Sequence, residues 1–157
     1  MSIVIRSAAF DEGEPIPIRH TGDGEDISPP LSWTTPPKGT AELALIVDDP
    51  DAPVEEPWVH WVVGHIPGDS TGLPEGFHGT SANVDVRGLS HGVNSWGTTG
   101  YRGPAPPKGH GTHHYHFKLY ALDASLTLPA GFDKKALLDA MSGHVLARGD
   151  LVGTYHR

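Results

Sequence analysis

The side chains that could do chemistry in this chain are histidine, aspartate and tyrosine, and they cluster. Asp48, Asp49 and Asp51 fall within the run D-D-P-D-A-P. His60 stands inside W-V-H-W-V-V-G-H-I, over residues 58–66. His113 and Tyr115 open the run H-H-Y-H-F-K-L-Y, directly after the loop G-Y-R-G-P-A-P-P-K-G-H-G at residues 100–111. An imidazole with an unperturbed pKa of about 6.5 can carry or lose a proton near neutrality. A phenol hydroxyl and the N–H groups of a Gly-rich loop add hydrogen-bond donors. Carboxylates at the end of an apolar strand are costly unless paired or solvated, so they mark either a pocket rim or a plain Asx turn. Together these groups suit a small anion or polar head group.

The elements that must position them read as β. In residues 112–122 the alternation places His113, Tyr115, Phe117 and Leu119 on one strand face, with His114, His116, Lys118 and Tyr120 on the other. Residues 42–47, E-L-A-L-I-V, are nearly continuous apolar, as in a central strand covered on both faces. In residues 58–66 simple alternation puts His60 in phase with Val62 and Ile66 and leaves His65 out of phase. One histidine on an apolar strand is ordinarily a core residue. Two that enter strands after Pro-rich loops, His60 and His113, point to a shared site.

Residues 3–5 predict a short edge strand, and a long turn-rich segment follows, with Ile16, Ile18, Ile27, Leu31 and Trp33 as candidate anchors onto the core. Residues 67–79 read as turns, and residues 81–91 as irregular apart from Val84 and Val86. The one good helical pattern has Asp133 as N-cap and Ala136, Leu137, Ala140 and Met141 as its apolar stripe, and it stops at Gly143. Residues 150–155 alternate like a final strand. The sum is a mainly β, antiparallel sandwich in one domain, residues 1–157, held by core strands at 43–47, 59–66 and 113–122.

Composition excludes several classes. The net charge is −8 and the 11 Lys and Arg are scattered, unlike a nucleic-acid binder. There is no Cys, hence no disulfide, thiol catalysis or zinc-thiolate site. No apolar run approaches the ~20 residues of a membrane helix, and the start M-S-I-V-I-R-S lacks the pattern of a secretory signal, so a soluble cytoplasmic protein is expected. Twenty Gly and fifteen Pro stand among clear apolar strands, which indicates loop-rich structure, not disorder.

Two rival chemistries deserve weighing. His60, His110 and His113 to His116, with Asp49 and Asp51, offer ligands for a metal-binding protein or metal-dependent hydrolase. The alternation opposes it, because His114 and His116 face away from His113. Serine hydrolysis is weaker still, since no G-x-S-x-G occurs. No catalytic constellation, no metal site and no cofactor is expected.

D-P-D-A-P at residues 49–53, W-V-H-W at 58–61, the loop at 100–111 and H-H-Y-H-F-K-L-Y at 113–120 resemble the phosphatidylethanolamine-binding protein family, also called the Raf kinase inhibitor protein family. D-G-E-D-I-S-P-P-L-S-W at 23–33 and the ending G-H-V-L-A…L-V-G-T-Y at 143–155 look like its bacterial and archaeal branch. The resemblance implies a Greek-key β-sandwich with one or two short C-terminal helices. It also implies an anion pocket on Asp49 and Asp51 of the D-P-D-A-P loop, His60, Gly103 and Pro106 of the Gly-Pro loop, His113 and Tyr115. In the family Arg commonly follows the second pocket histidine, where His114 stands here, and a tyrosine that many eukaryotic members carry is replaced in the Glu55-Glu56 region.

The function implied is binding of a phosphate-like anion, phosphorylated ligand or phospholipid head group; resemblance to eukaryotic relatives alone adds a kinase partner and a signalling role. Resemblance also implies a homodimer, for which the four Trp with Phe77, Leu89 and Val93 could supply an apolar patch. Crowding between residues 49 and 58 predicts a cis bond at Ala52-Pro53 or Glu56-Pro57.

Overall fold

β-Branched and aromatic residues fill the three long apolar runs, and each run becomes a strand of one sheet. The computed structural model describes residues 2–77 and 89–157. Its strands are β1 (Ile5–Arg6), β2 (Leu31–Trp33), β3 (Glu42–Asp49), β4 (Trp58–Pro67), β5 (Gly72–Leu73), β6 (Ser90–His91), β7 (His113–Leu122) and β8 (Val145–Tyr155), with one α-helix, α1 (Lys134–Met141), between β7 and β8. Five strands form a sheet in the order β6-β4-β3-β7-β8, and three form a smaller sheet, β1-β2-β5. Every pairing between these strands is antiparallel.

The large sheet is the middle layer. From β3, Leu43, Leu45 and Val47 face the small sheet and join Trp61, Val63, Phe117 and Leu119 in the main core. Ala44 and Ile46 face the other way and pack with Val62, Phe132, Leu137 and Met141 beneath α1. All eight residues of β3 are buried, which is why this strand is apolar without alternation. Asp133 caps α1 by accepting from the Ala136 N–H at 2.9 Å.

Several elements differ from the sequence expectation. β8 begins at Val145, five residues before the alternation expected at 150–155; at Gly149 a Cβ would lie 2.3 Å from the Ile3 carbonyl oxygen, so a glycine interrupts the pattern where residue 3 runs alongside. Ile16, Leu31 and Trp33 anchor the long segment, but Ile18 is 60% exposed because it begins a 3-10 turn on the surface, and Ile27 is half-buried. The turn region at 67–79 contains β5. Val84 and Val86 lie outside the described residues, while Ser90–His91 pairs with β4. Phe77 is buried in its own core and Leu89 packs against it.

No cis peptide bond occurs among the described residues, so Ala52-Pro53 and Glu56-Pro57 are both trans. The reversal is made by other means: eight residues link β3 to β4, and the Asp49 carboxylate accepts the Asp51 N–H at 2.8 Å to turn the chain at once.

Candidate functional site

At the end of β3 the apolar run gives way to carboxylates. Asp49 lies on the side of the main core and is 3% exposed. Its Oδ1 holds the turn, and its Oδ2 accepts from His113 Nδ1 at 2.6 Å. Asp51 does something different. Its Oδ2 accepts both the backbone N–H and the ring Nδ1–H of His114 at 2.8 Å, which fastens the D-P-D-A-P loop to β7. Partial burial pushes the Asp51 carboxyl up, but the His114 bonds outweigh it and hold it below the usual carboxylate range.

β4 delivers His60 by a bulge. Val47 pairs with Trp61 and Asp48 with Val59, so His60 is an extra residue opposite that step. The bulge turns His60 to the same side as Trp61, away from Val62; the simple phase with Val62 fails for that reason. A second irregularity, between the pairs Leu45–Val63 and Leu43–Ile66, takes up His65, whose φ is +57°. His65 reaches Glu42 at 3.2 Å, at the far end of the strand.

His60 is fixed by a reciprocal pair of bonds. The Arg102 N–H donates to the His60 carbonyl at 3.0 Å, and His60 Nδ1–H donates to the Arg102 carbonyl at 2.7 Å. The ring meets Tyr115 and Trp96 edge-on, at 5.1 and 5.0 Å between centroids. Burial pushes its pKa below the ordinary value, against bonds and charges that favour the cation. His60 is therefore neutral at neutral pH.

β7 behaves as its alternation requires. His113 and Tyr115 are 2% and 1% exposed and face the core side, while His114 and His116 turn outward to Asp51 and Asp150. Asp49 accepts at His113 Nδ1, and His113 Nε2 lies 2.6 Å from His110 Nδ1, so those two ring nitrogens share one hydrogen. Burial, and then the charge of Asp49, push the Tyr115 hydroxyl far above its ordinary pKa, so it stays a donor.

The loop at 100–107 is laid over these rings by buried polar ties. Tyr101 Oη–H donates to the His20 carbonyl at 2.6 Å, and Asp26 Oδ1 accepts the Gly103 N–H at 2.7 Å. A Cβ on Gly103 would lie 2.1 Å from the His20 oxygen, so only glycine permits this approach. Asn94 closes the neighbouring turn by accepting from Thr98 and Trp96 and donating to Gly100.

These elements enclose a cleft of about 240 Å³ with Asp49, His60, His113 and Tyr115 in its floor and Pro53, Trp58, Trp96, Pro106 and Pro107 among its walls. Five of the seven residues expected at the site thus line one cleft. Asp51 and Gly103 do not: Asp51 is committed to His114, and the Gly103 N–H to Asp26. Trp58 and Trp96 were not expected in the site. Their local patterns carry no such signal, because Trp96 enters through the fold of residues 94–100. Among the described residues no three His, Asp or Glu side chains are placed to hold a metal.

The family model described as phosphatidylethanolamine-binding protein matches residues 6–156. The chain belongs to the phosphatidylethanolamine-binding protein family. A UPF0098 protein of Methanothermobacter thermautotrophicus is 50% identical over 153 residues, 98% of each chain. A UPF0098 protein of Chlamydia muridarum is 41% identical over 157 residues, again 98% of each. The crystal structure of Escherichia coli YbcL, described as a new member of the mammalian family, superposes with a TM-score of 0.93 at 29% identity, covering 100% of this chain and 99% of that one. In this phosphatidylethanolamine-binding protein-family chain the residue at the usual arginine position, His114, turns outside the cleft onto Asp51. Among the described residues no helix is long and apolar enough to cross a membrane.

Proposed function

We propose that this protein, a ligand-binding member of its family, holds a small phosphate-like anion or a phosphorylated ligand in the cleft between β3, β4 and β7. One observation carries the reading. His60 Nε2 and the Tyr115 hydroxyl have no hydrogen-bond partner among the described residues, although both side chains line the cleft and are nearly buried. Polar groups on nearly buried side chains are normally satisfied, so two that stay open toward one small cleft ask for a polar ligand. The apolar walls strengthen whatever electrostatic contact the ligand makes by excluding water. Regulation of a protein kinase, implied by family resemblance alone, draws nothing from this geometry.

The test is a titration with inorganic phosphate followed by histidine NMR. Selective shifts of the His60 and His113 ring signals support the reading, and shifts spread over surface histidines such as His144 and His156 defeat it.

A further inference from the structure

The floor of the cleft is short of donors. Arg102 offers His60 Nδ1 a carbonyl oxygen at 2.7 Å, which can only accept, so Nδ1 carries the hydrogen and neutral His60 shows the cleft a lone pair at Nε2. His113 has nothing left to give, with Nδ1–H on Asp49 and Nε2 engaged by His110. Asp49 is itself an acceptor. Tyr115 remains as the one hydroxyl donor among the four floor residues. An oxyanion with no proton of its own would set its oxygens against the His60 lone pair in a buried place, and a buried acceptor facing an acceptor is penalised twice, by desolvation and by repulsion.

Building on the reading above, we propose that the cleft selects oxyanions that bring their own proton: hydrogen phosphate and phosphomonoesters in preference to sulfate and phosphodiesters, with His60 Nε2 accepting the ligand's P–O–H. A phosphomonoester keeps a titrating hydroxyl near neutrality, its second pKa being about 6. Sulfate and a diester have none. The charged and titratable groups around His60 are Asp49 on β3, His113 and Tyr115 on β7, and Asp26 and Arg102 on the loops. Asp49 and Asp26 favour an imidazolium, yet burial outweighs them and keeps the acceptor free. The Arg102 guanidinium is stacked 4.6 Å over Trp96.

Calorimetric titration of the full chain at neutral pH with four probes tests this: inorganic phosphate, methyl phosphate, sulfate and dimethyl phosphate. The first two should bind, and the other two should bind roughly ten- to a hundredfold more weakly. The two esters also separate a phosphomonoester ligand from the diester of a lipid head group. Equal affinity for all four overturns the selectivity while leaving the anion cleft intact. Failure of all four to bind removes the anion reading and this inference together. His60→Gln, whose amide can turn either a donor or an acceptor to the ligand, should bring sulfate level with phosphate; if it does not fold, the four-probe series on the unaltered chain decides.

Discussion

Asp48 and Asp49 are adjacent, and their side chains leave β3 in opposite directions to serve different layers. Asp49 enters the cleft and meets His113. Asp48, fully buried on the helix side, lies 2.7 Å from Lys134 of α1 and 3.1 Å from Lys118 of β7. Its Oδ1 lacks a well-aligned hydrogen bond, so the Lys118 contact there is an ion pair more than a directed bond.

Asp48→Ala should destabilise the fold by about 3 kcal/mol, near the low end for breaking a buried pair, because both lysines are partly exposed and can swing to water. Urea unfolding measures it. Phosphate binding by whatever fraction stays folded should be unchanged, since Asp48 does not face the cleft.

His60→Ala should weaken phosphate binding by about 1.5–3 kcal/mol, the usual worth of a hydrogen bond to a charged group. His113→Ala should weaken it too, indirectly, by leaving Asp49 and His110 without their partner in the cleft floor. His65→Ala should leave it alone, as His65 sits in the other irregularity of β4 and contacts Glu42. Equal losses in all three would place the site elsewhere.

How much of this was legible beforehand divides along physical lines. The alternation of β7 depends only on its own residues, and it placed His113, Tyr115, Phe117 and Leu119 correctly. The apolar density of residues 42–47 announced a strand covered on both faces. The bulge at His60 was invisible, since a bulge is a property of two strands in register. Gly149 hid the start of β8 because a glycine chosen for a backbone neighbour carries no hydrophobic signal. Trp96 joins the cleft through Asn94's bonds to its own turn, a contact that no periodicity encodes.

Stability should fall as the solution is acidified, with His60 as one cause. Burial holds its folded pKa below the ordinary 6.5, so beneath that pH the unfolded chain binds a proton that the folded chain refuses. The contribution is present above 6.5 and is lost on descent toward the lowered folded value. Thermal melts across this range should show a shallower acid loss for His60→Gln than for the unaltered chain; parallel profiles would mean that other groups govern the slope.

Gly103→Ala should cost about 1–3 kcal/mol, because the added methyl meets the His20 carbonyl and Asp26 Oδ1. It should also loosen the Arg102 carbonyl from His60 and so raise the relative affinity for sulfate. A variant that loses stability yet keeps the phosphate preference would show that the loop can shift without releasing that carbonyl.

The burial of all of β3 bears on the chain before it folds. Residues 43–47, L-A-L-I-V, are the kind of short, uncharged, β-prone window that self-associates when exposed. Glu42 stands at one end and Asp48 and Asp49 at the other, so the carboxylates that later tie down His65, α1 and His113 act first as gatekeepers on a nascent or denatured chain. Neutralising them should therefore lower refolding yield more steeply as protein concentration rises, a loss through aggregation that equilibrium unfolding of the surviving molecules does not register.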